Sequence, residues 1–174
     1  MHRNIPLLML VILNVYSINL IASSEDKTKH EINSASISRG QAVYKKSNCV
    51  FCHGWAGDGR GHPRSPGVAA SLRLSVLDKD AMRHIIRCGL IGGIMPFHDR
   101  LAYRDDRCVA EPSEIDQSLL PQKGKNISSN DLDALVSYLM SNVQGRGEVT
   151  FEQCEAFYKP GSRNCLTLKN ETTQ

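Results

Sequence analysis

The residues of this 174-residue chain best suited to chemistry are gathered in Cys49-Val50-Phe51-Cys52-His53. Two thiols at this spacing stand about one helical turn apart and point the same way, with an imidazole directly after them. Three chemistries use such a pair: a redox dithiol, half of a zinc site, or covalent capture of a haem. In the last, the thiols add to two vinyl groups and the imidazole ligates the iron. A redox dithiol usually opens a helix after a strand, and no strand pattern precedes Cys49. A zinc site needs a second ligand pair, whereas Cys88, Cys108, Cys154 and Cys165 stand singly. Covalent haem is the reading that uses all three residues.

A low-spin iron needs a sixth ligand opposite His53. The candidates are Met82, Met95, Met140, His62, His84 and His98. Met82 and Met140 fall in apolar helical patterns, where methionine usually fills core space. His84 sits between Arg83 and Ile85 and reads as a surface or supporting histidine. Met95 lies in Gly92-Gly93-Ile94-Met95-Pro96, whose glycines allow close backbone approach and whose proline stiffens the segment. Met95 is therefore the expected ligand, with His98 and His62 as the alternatives.

The elements that must hold these groups read as helices joined by long loops, with no alternating strand pattern. The pattern predicts a helix over 38–47 carrying Gly40 and Tyr44 on one face. A second is bracketed by Asp78 as N-cap and Gly89 as stop, with Met82, Ile85 and Ile86 on one side. Ser128 and Asp131 have capping-box spacing ahead of Leu132, Leu135, Val136 and Leu139, the clearest amphipathic stripe in the chain. Thr150 with Gln153 predicts a last short helix, ending at Pro160-Gly161.

Composition agrees with a globular chain: 41% hydrophobic and 22% charged residues exclude a disordered or fibrous protein. The net charge of +3 is too small and scattered for a nucleic-acid binder. Aromatics, at 6%, are sparse enough to leave interior room for a large apolar cofactor. Residues 1–22 have the layout of a signal peptide: Arg3, an apolar run from Leu7 to Leu13, and small residues near Ala22. Left uncleaved, the segment would be a membrane anchor. Residues 23–35 are expected to be a flexible lead-in, 36–145 the haem domain, and 146–174 a C-terminal extension. The export signal implies an oxidising compartment, where Cys88, Cys108, Cys154 and Cys165 can pair. Proximity favours Cys88 with Cys108 and Cys154 with Cys165, each closure worth about 3 kcal/mol by loop entropy.

Over roughly residues 36–145 the sequence resembles the class I c-type cytochromes. The resemblance rests on Gly40 with Tyr44, on Cys49-Val50-Phe51-Cys52-His53, on Met95-Pro96, and on Leu135-Val136-Ser137-Tyr138-Leu139. It implies an all-α cytochrome c-type fold, with helices and long loops wrapped around one covalently attached haem c. In such a fold the first and last helices cross where a small residue such as Gly40 meets an aromatic such as Tyr138. Cys52-His53-Gly54-Trp55-Ala56-Gly57-Asp58-Gly59-Arg60-Gly61 and Met95-Pro96-Phe97-His98-Asp99-Arg100-Leu101-Ala102-Tyr103 are also similar to periplasmic cytochromes associated with quinoprotein alcohol dehydrogenases.

The expected protein is thus an exported, monomeric, single-haem electron carrier of the periplasm rather than an enzyme. A quinoprotein (PQQ) dehydrogenase is its expected donor, and another cytochrome or a terminal oxidase its acceptor. Two alternatives stand beside it: a haem enzyme or gas-binding sensor with an open sixth position, and a permanent haem subunit of a dehydrogenase or oxidase complex. Arginines at 60, 64, 73, 83, 87, 100, 104 and 107 are candidates for haem propionate contacts or a docking face, and Trp55 and Tyr103 for propionate contacts.

Overall fold

A computed structural model describes residues 33–171; the leader expected at 1–22 and most of the lead-in lie outside the described residues. The chain divides into units of residues 1–35 and 36–174, and the second carries the site. Helix α1 occupies the described residues 33–46, so it already runs five residues ahead of Ser38, where its pattern predicts a start, since no glycine or proline among 33–37 interrupts it. Then follow α2 (Cys49–His53), α3 (Lys79–Cys88), α4 (Ser129–Asn142), α5 (Phe151–Phe157) and α6 (Leu166–Glu171). No strand occurs among the described residues, only an isolated bridge between Phe97 and Lys123.

Local chemistry sets these limits. The Asp78 carboxylate accepts from the Ala81 N–H to start α3, and Gly89 in a left-handed conformation ends it. Ser128 Oγ caps Asp131 N at the start of α4, but the Asp131 carboxylate turns to the Ser128 hydroxyl and Arg39, so the reciprocal half of the capping box is not made. Thr150 and Gln153 make both halves at α5. That helix stops at Phe157, short of the predicted Pro160-Gly161.

The core forms where α1, α3 and α4 meet, from Tyr44, Met82, Ile86, Leu135, Val136 and Leu139. A Cβ at Gly40 would collide with the Ala134 carbonyl and lie 2.6 Å from Tyr138 Cβ, so α1 crosses α4 at a distance only glycine permits. Met140, expected to fill core, is instead 36% exposed, because it falls outside the apolar stripe of α4. The C-terminal extension joins this core: Phe157 is buried and packs on Tyr44 and Trp55.

Candidate haem site

Asn48, at φ 69°, breaks the chain between α1 and α2, a conformation asparagine tolerates better than most residues. The turn lets Cys49, Cys52 and His53 follow within one short helix. Neither cysteine is in a disulfide, both are half-buried, and burial pushes the Cys49 thiol up to about 12. Among the described residues no three His, Cys, Asp or Glu side chains gather as metal ligands, so a zinc-type ligand set does not surround them.

His53 is held at backbone and ring. Its carbonyl accepts from Gly59 N at 3.0 Å, and Tyr44 Oη donates to the next carbonyl, that of Gly54, at 2.7 Å. Nδ1 stands 3.1 Å from the Ala70 carbonyl, which can only accept, so Nδ1 carries the proton and Nε2 keeps its lone pair. Burial lowers the His53 pKa against the opposing effect of the Ala70 carbonyl, favouring the neutral, ligating form. Ala70 gave no signal in the sequence, because it acts through its backbone.

Met95 is half-buried and packs against the core cluster, as Cys49 does. Its carbonyl accepts from Leu90 N at 3.1 Å across the Gly92-Gly93 turn. Beyond it, Phe97 N donates to Gln122 O at 3.0 Å, and His98 N to Arg87 O at 3.0 Å. Gly89 must be glycine here: a Cβ would lie 2.6 Å from the Met95 carbonyl oxygen. A Cys88–Cys108 disulfide closes the loop, and the Tyr103 hydroxyl donates to the Cys88 carbonyl at 2.5 Å. The second bridge, Cys154–Cys165, ties the C-terminal extension from within and is fully buried.

Of the two alternative ligands, His98 has the same Nδ1–carbonyl arrangement as His53 but is packed shut by Gly124, and His62 is held in the opposite tautomer, with Nδ1 as the acceptor. His98 is buried, its Nδ1 is 2.6 Å from the Lys125 carbonyl, and Gly124 lies against its ring. His62 stacks on Phe51 with centroids 5.2 Å apart, and its Nδ1 accepts from Arg64 N. His84 is exposed, its Nδ1 3.9 Å from Cys88 Sγ.

The donor set fits a haem: two thiols, an imidazole with a free Nε2 and a thioether. Apolar side chains stand ready beside it, with Val68 96% and Ile94 55% exposed. These belong to the segments that carry Ala70 and Met95, and the segments meet, since a Cβ on Gly67 would lie 2.8 Å from Ile94 Cδ1. A porphyrin is an apolar surface of the kind such side chains cover.

Four of the eight candidate arginines are engaged within the protein, while Arg64, Arg100 and Arg104 are exposed and make no ion pair among the described residues. Arg83 pairs with Asp133, Arg87 and Arg107 with Asp99, and Arg107 with Asp105. Arg73 is buried, donating to the carbonyls of Ala56, Arg146, Gly147 and Glu148 and to Gln153 Oε1. Tyr103 spends its hydroxyl on Cys88, and Trp55 packs on Phe157 and Tyr158.

Residues 35–111 match the family described as Cytochrome C oxidase, cbb3-type, subunit III. Comparison with curated proteins and with solved structures gives no match. The matched stretch contains Cys49, Cys52, His53, Met95 and both cysteines of the Cys88–Cys108 bridge. With a helical architecture that has no strand among the described residues, it gives the chain an all-α cytochrome c fold and supports a c-type cytochrome acting in haem-based electron transfer.

Proposed function

We propose that the chain is an exported, mono-haem electron carrier: Cys49 and Cys52 would hold the haem covalently, and His53 and Met95 would ligate its iron. The observation that carries this reading is the paired restraint on the ligands. Ala70 holds His53 with Nε2 free, and the loop around Met95 is anchored on both sides, while Gly124 encloses the His98 ring and His62 spends its Nδ1 lone pair on Arg64 N. When bound, the haem supplies an iron that exchanges one electron, and a thioether ligand raises its potential. The residues contribute rigidity, so little rearrangement opposes transfer.

Visible spectra of the matured protein, oxidised, reduced, and reduced under carbon monoxide, test this beside Met95→Ala. We expect a wild type indifferent to carbon monoxide and a variant that binds it. A wild type that binds it readily would turn the search toward peroxide or gas chemistry.

The finer proposal is that the carrier works in the periplasm, released by cleavage of residues 1–22. On this proposal it accepts electrons from a quinoprotein dehydrogenase and passes them to another cytochrome or a terminal oxidase. Its donor rests on the resemblance at Cys52–Gly61 and Met95–Tyr103. Mixing the oxidised protein with a purified quinoprotein dehydrogenase and its alcohol tests that donor; absence of reduction at catalytic rates rejects it. The description of the matching family favours a second reading, a subunit held in an oxidase complex. Copurification in mild detergent decides: a stable complex supports the subunit, a free monomer the carrier.

A further inference from the structure

Arg87, in the last turn of α3, has an unusual environment. Its side chain is only 29% exposed, yet its nearest carboxylate, Asp99, is 3.8 Å away, and among the described residues it makes no side-chain hydrogen bond. No fully buried side-chain nitrogen lacks a partner, so the unfilled donors open toward solvent. Arg87 lines a pocket of about 300 Å³ together with Arg100, Arg107, His98 and Asn126, and Asp99 is the one carboxylate in its lining.

The charges in this pocket do not balance. Arg107 is satisfied, with Nη1 on Asp99 at 2.9 Å and Nε and Nη2 on Asp105 at 2.7 and 2.8 Å. Asp99 is therefore largely committed to Arg107. Arg100 lies on the exposed rim without a carboxylate partner among the described residues, its backbone N–H fixed 3.0 Å from Asn126 Oδ1. Ser128, the N-cap of α4, also lines the pocket, but the Asp131 carboxylate already faces that helix start, so the positive field rests on the guanidinium groups. Paired guanidinium donors match the geometry of carboxylate and phosphate oxygens.

We propose that this pocket is an anion site, taking a phosphate or a small organic carboxylate between Arg87 and Arg100 at the start of α4. Neither Met95 nor any residue of Cys49–His53 lines it, so the proposal stands apart from the electron-transfer reading. The anion would bridge the end of α3, the loop that follows Met95, and α4.

The test uses the full-length protein with its haem in place. Calorimetric titrations and thermal melts are run with sodium phosphate and with sodium malonate, against chloride at matched ionic strength. We expect saturable binding and a rise in melting temperature with at least one oxyanion. Arg87→Gln and Arg100→Gln should each weaken that binding about tenfold, the loss expected for one charge-assisted contact, while Arg64→Gln leaves it unchanged. Response to phosphate alone or malonate alone assigns the group recognised, and either supports the site. If neither oxyanion exceeds chloride, or both variants bind as wild type, the site does not exist. Arg100 is exposed, so its substitution decides the matter should Arg87→Gln fail to fold.

Discussion

Gly40 shows how one residue sets a helix crossing. The atoms that a side chain there would meet are the Ala134 carbonyl and Tyr138 Cβ, backbone or near-backbone groups that cannot swing aside. Gly40→Val should force α1 off α4 and cost about 1–3 kcal/mol or more, as overpacking does. A thermal melt at the wild-type temperature would show that the crossing has slack. Gly40 was legible only through its family resemblance, whereas Cys49, Cys52 and His53 were legible directly, because attachment chemistry demands one local spacing. Gly124 and Ala70 were not legible at all. Their roles are defined by the His98 ring and the His53 Nδ1, side chains 26 and 17 residues away in sequence.

At the scale of an element, the segment from Gly89 to Cys108 behaves as a clasp around Met95. Its ends are joined by the Cys88–Cys108 disulfide, and its middle is pinned by Asp99, which receives Leu101 N at 2.9 Å and Arg107 at 2.9 Å. Replacing both cysteines by serine should lower stability by about 3 kcal/mol and make the reduced protein more receptive to carbon monoxide. Unchanged exclusion of the gas would mean that the backbone anchors alone hold Met95. Partial burial raises the Asp99 pKa, but the Leu101 N–H and the Arg107 and Arg87 guanidinium groups outweigh it and leave the carboxyl below its ordinary value. The unfolded chain then binds the proton more readily. The stability Asp99 contributes is complete above the unfolded pKa of about 3.9 and is lost as pH falls through the lower folded value. Acid unfolding of Asp99→Asn should accordingly show a shallower pH dependence below about pH 4 than the wild type. Equal slopes would remove Asp99 from the clasp. The sequence showed the loop's cysteines and its methionine, but not the ion pairs, which depend on how Arg87 and Arg107 converge on one carboxylate.

Across the whole molecule, the C-terminal extension is part of the core rather than an appendage. Phe157 fills space between Tyr44 and Trp55, and Lys45 donates to its carbonyl while lying 4.2 Å from the ring centroid. Arg73 makes the deeper link: four of its five acceptors, the Arg146, Gly147 and Glu148 carbonyls and Gln153 Oε1, belong to the extension. Nothing in the sequence marked it, since its partners lie 73 to 80 positions away and three are backbone carbonyls. Ending the chain at Gly145 would take away those four acceptors together with the Phe157 packing, and removal of a buried phenylalanine alone costs about 3–5 kcal/mol. Arg73→Ala in the full chain should also destabilise, by orphaning the same carbonyls, though it leaves Phe157 in place. The two changes remove one shared network, so their combination should cost less than the sum of the separate losses. Denaturant midpoints of the four proteins measure this directly. Full additivity would mean that Arg73 stabilises its own loop and the extension holds by Phe157 alone, whereas a sub-additive cycle makes Arg73 the group through which the extension steadies the segment carrying Ala70 and, through it, His53.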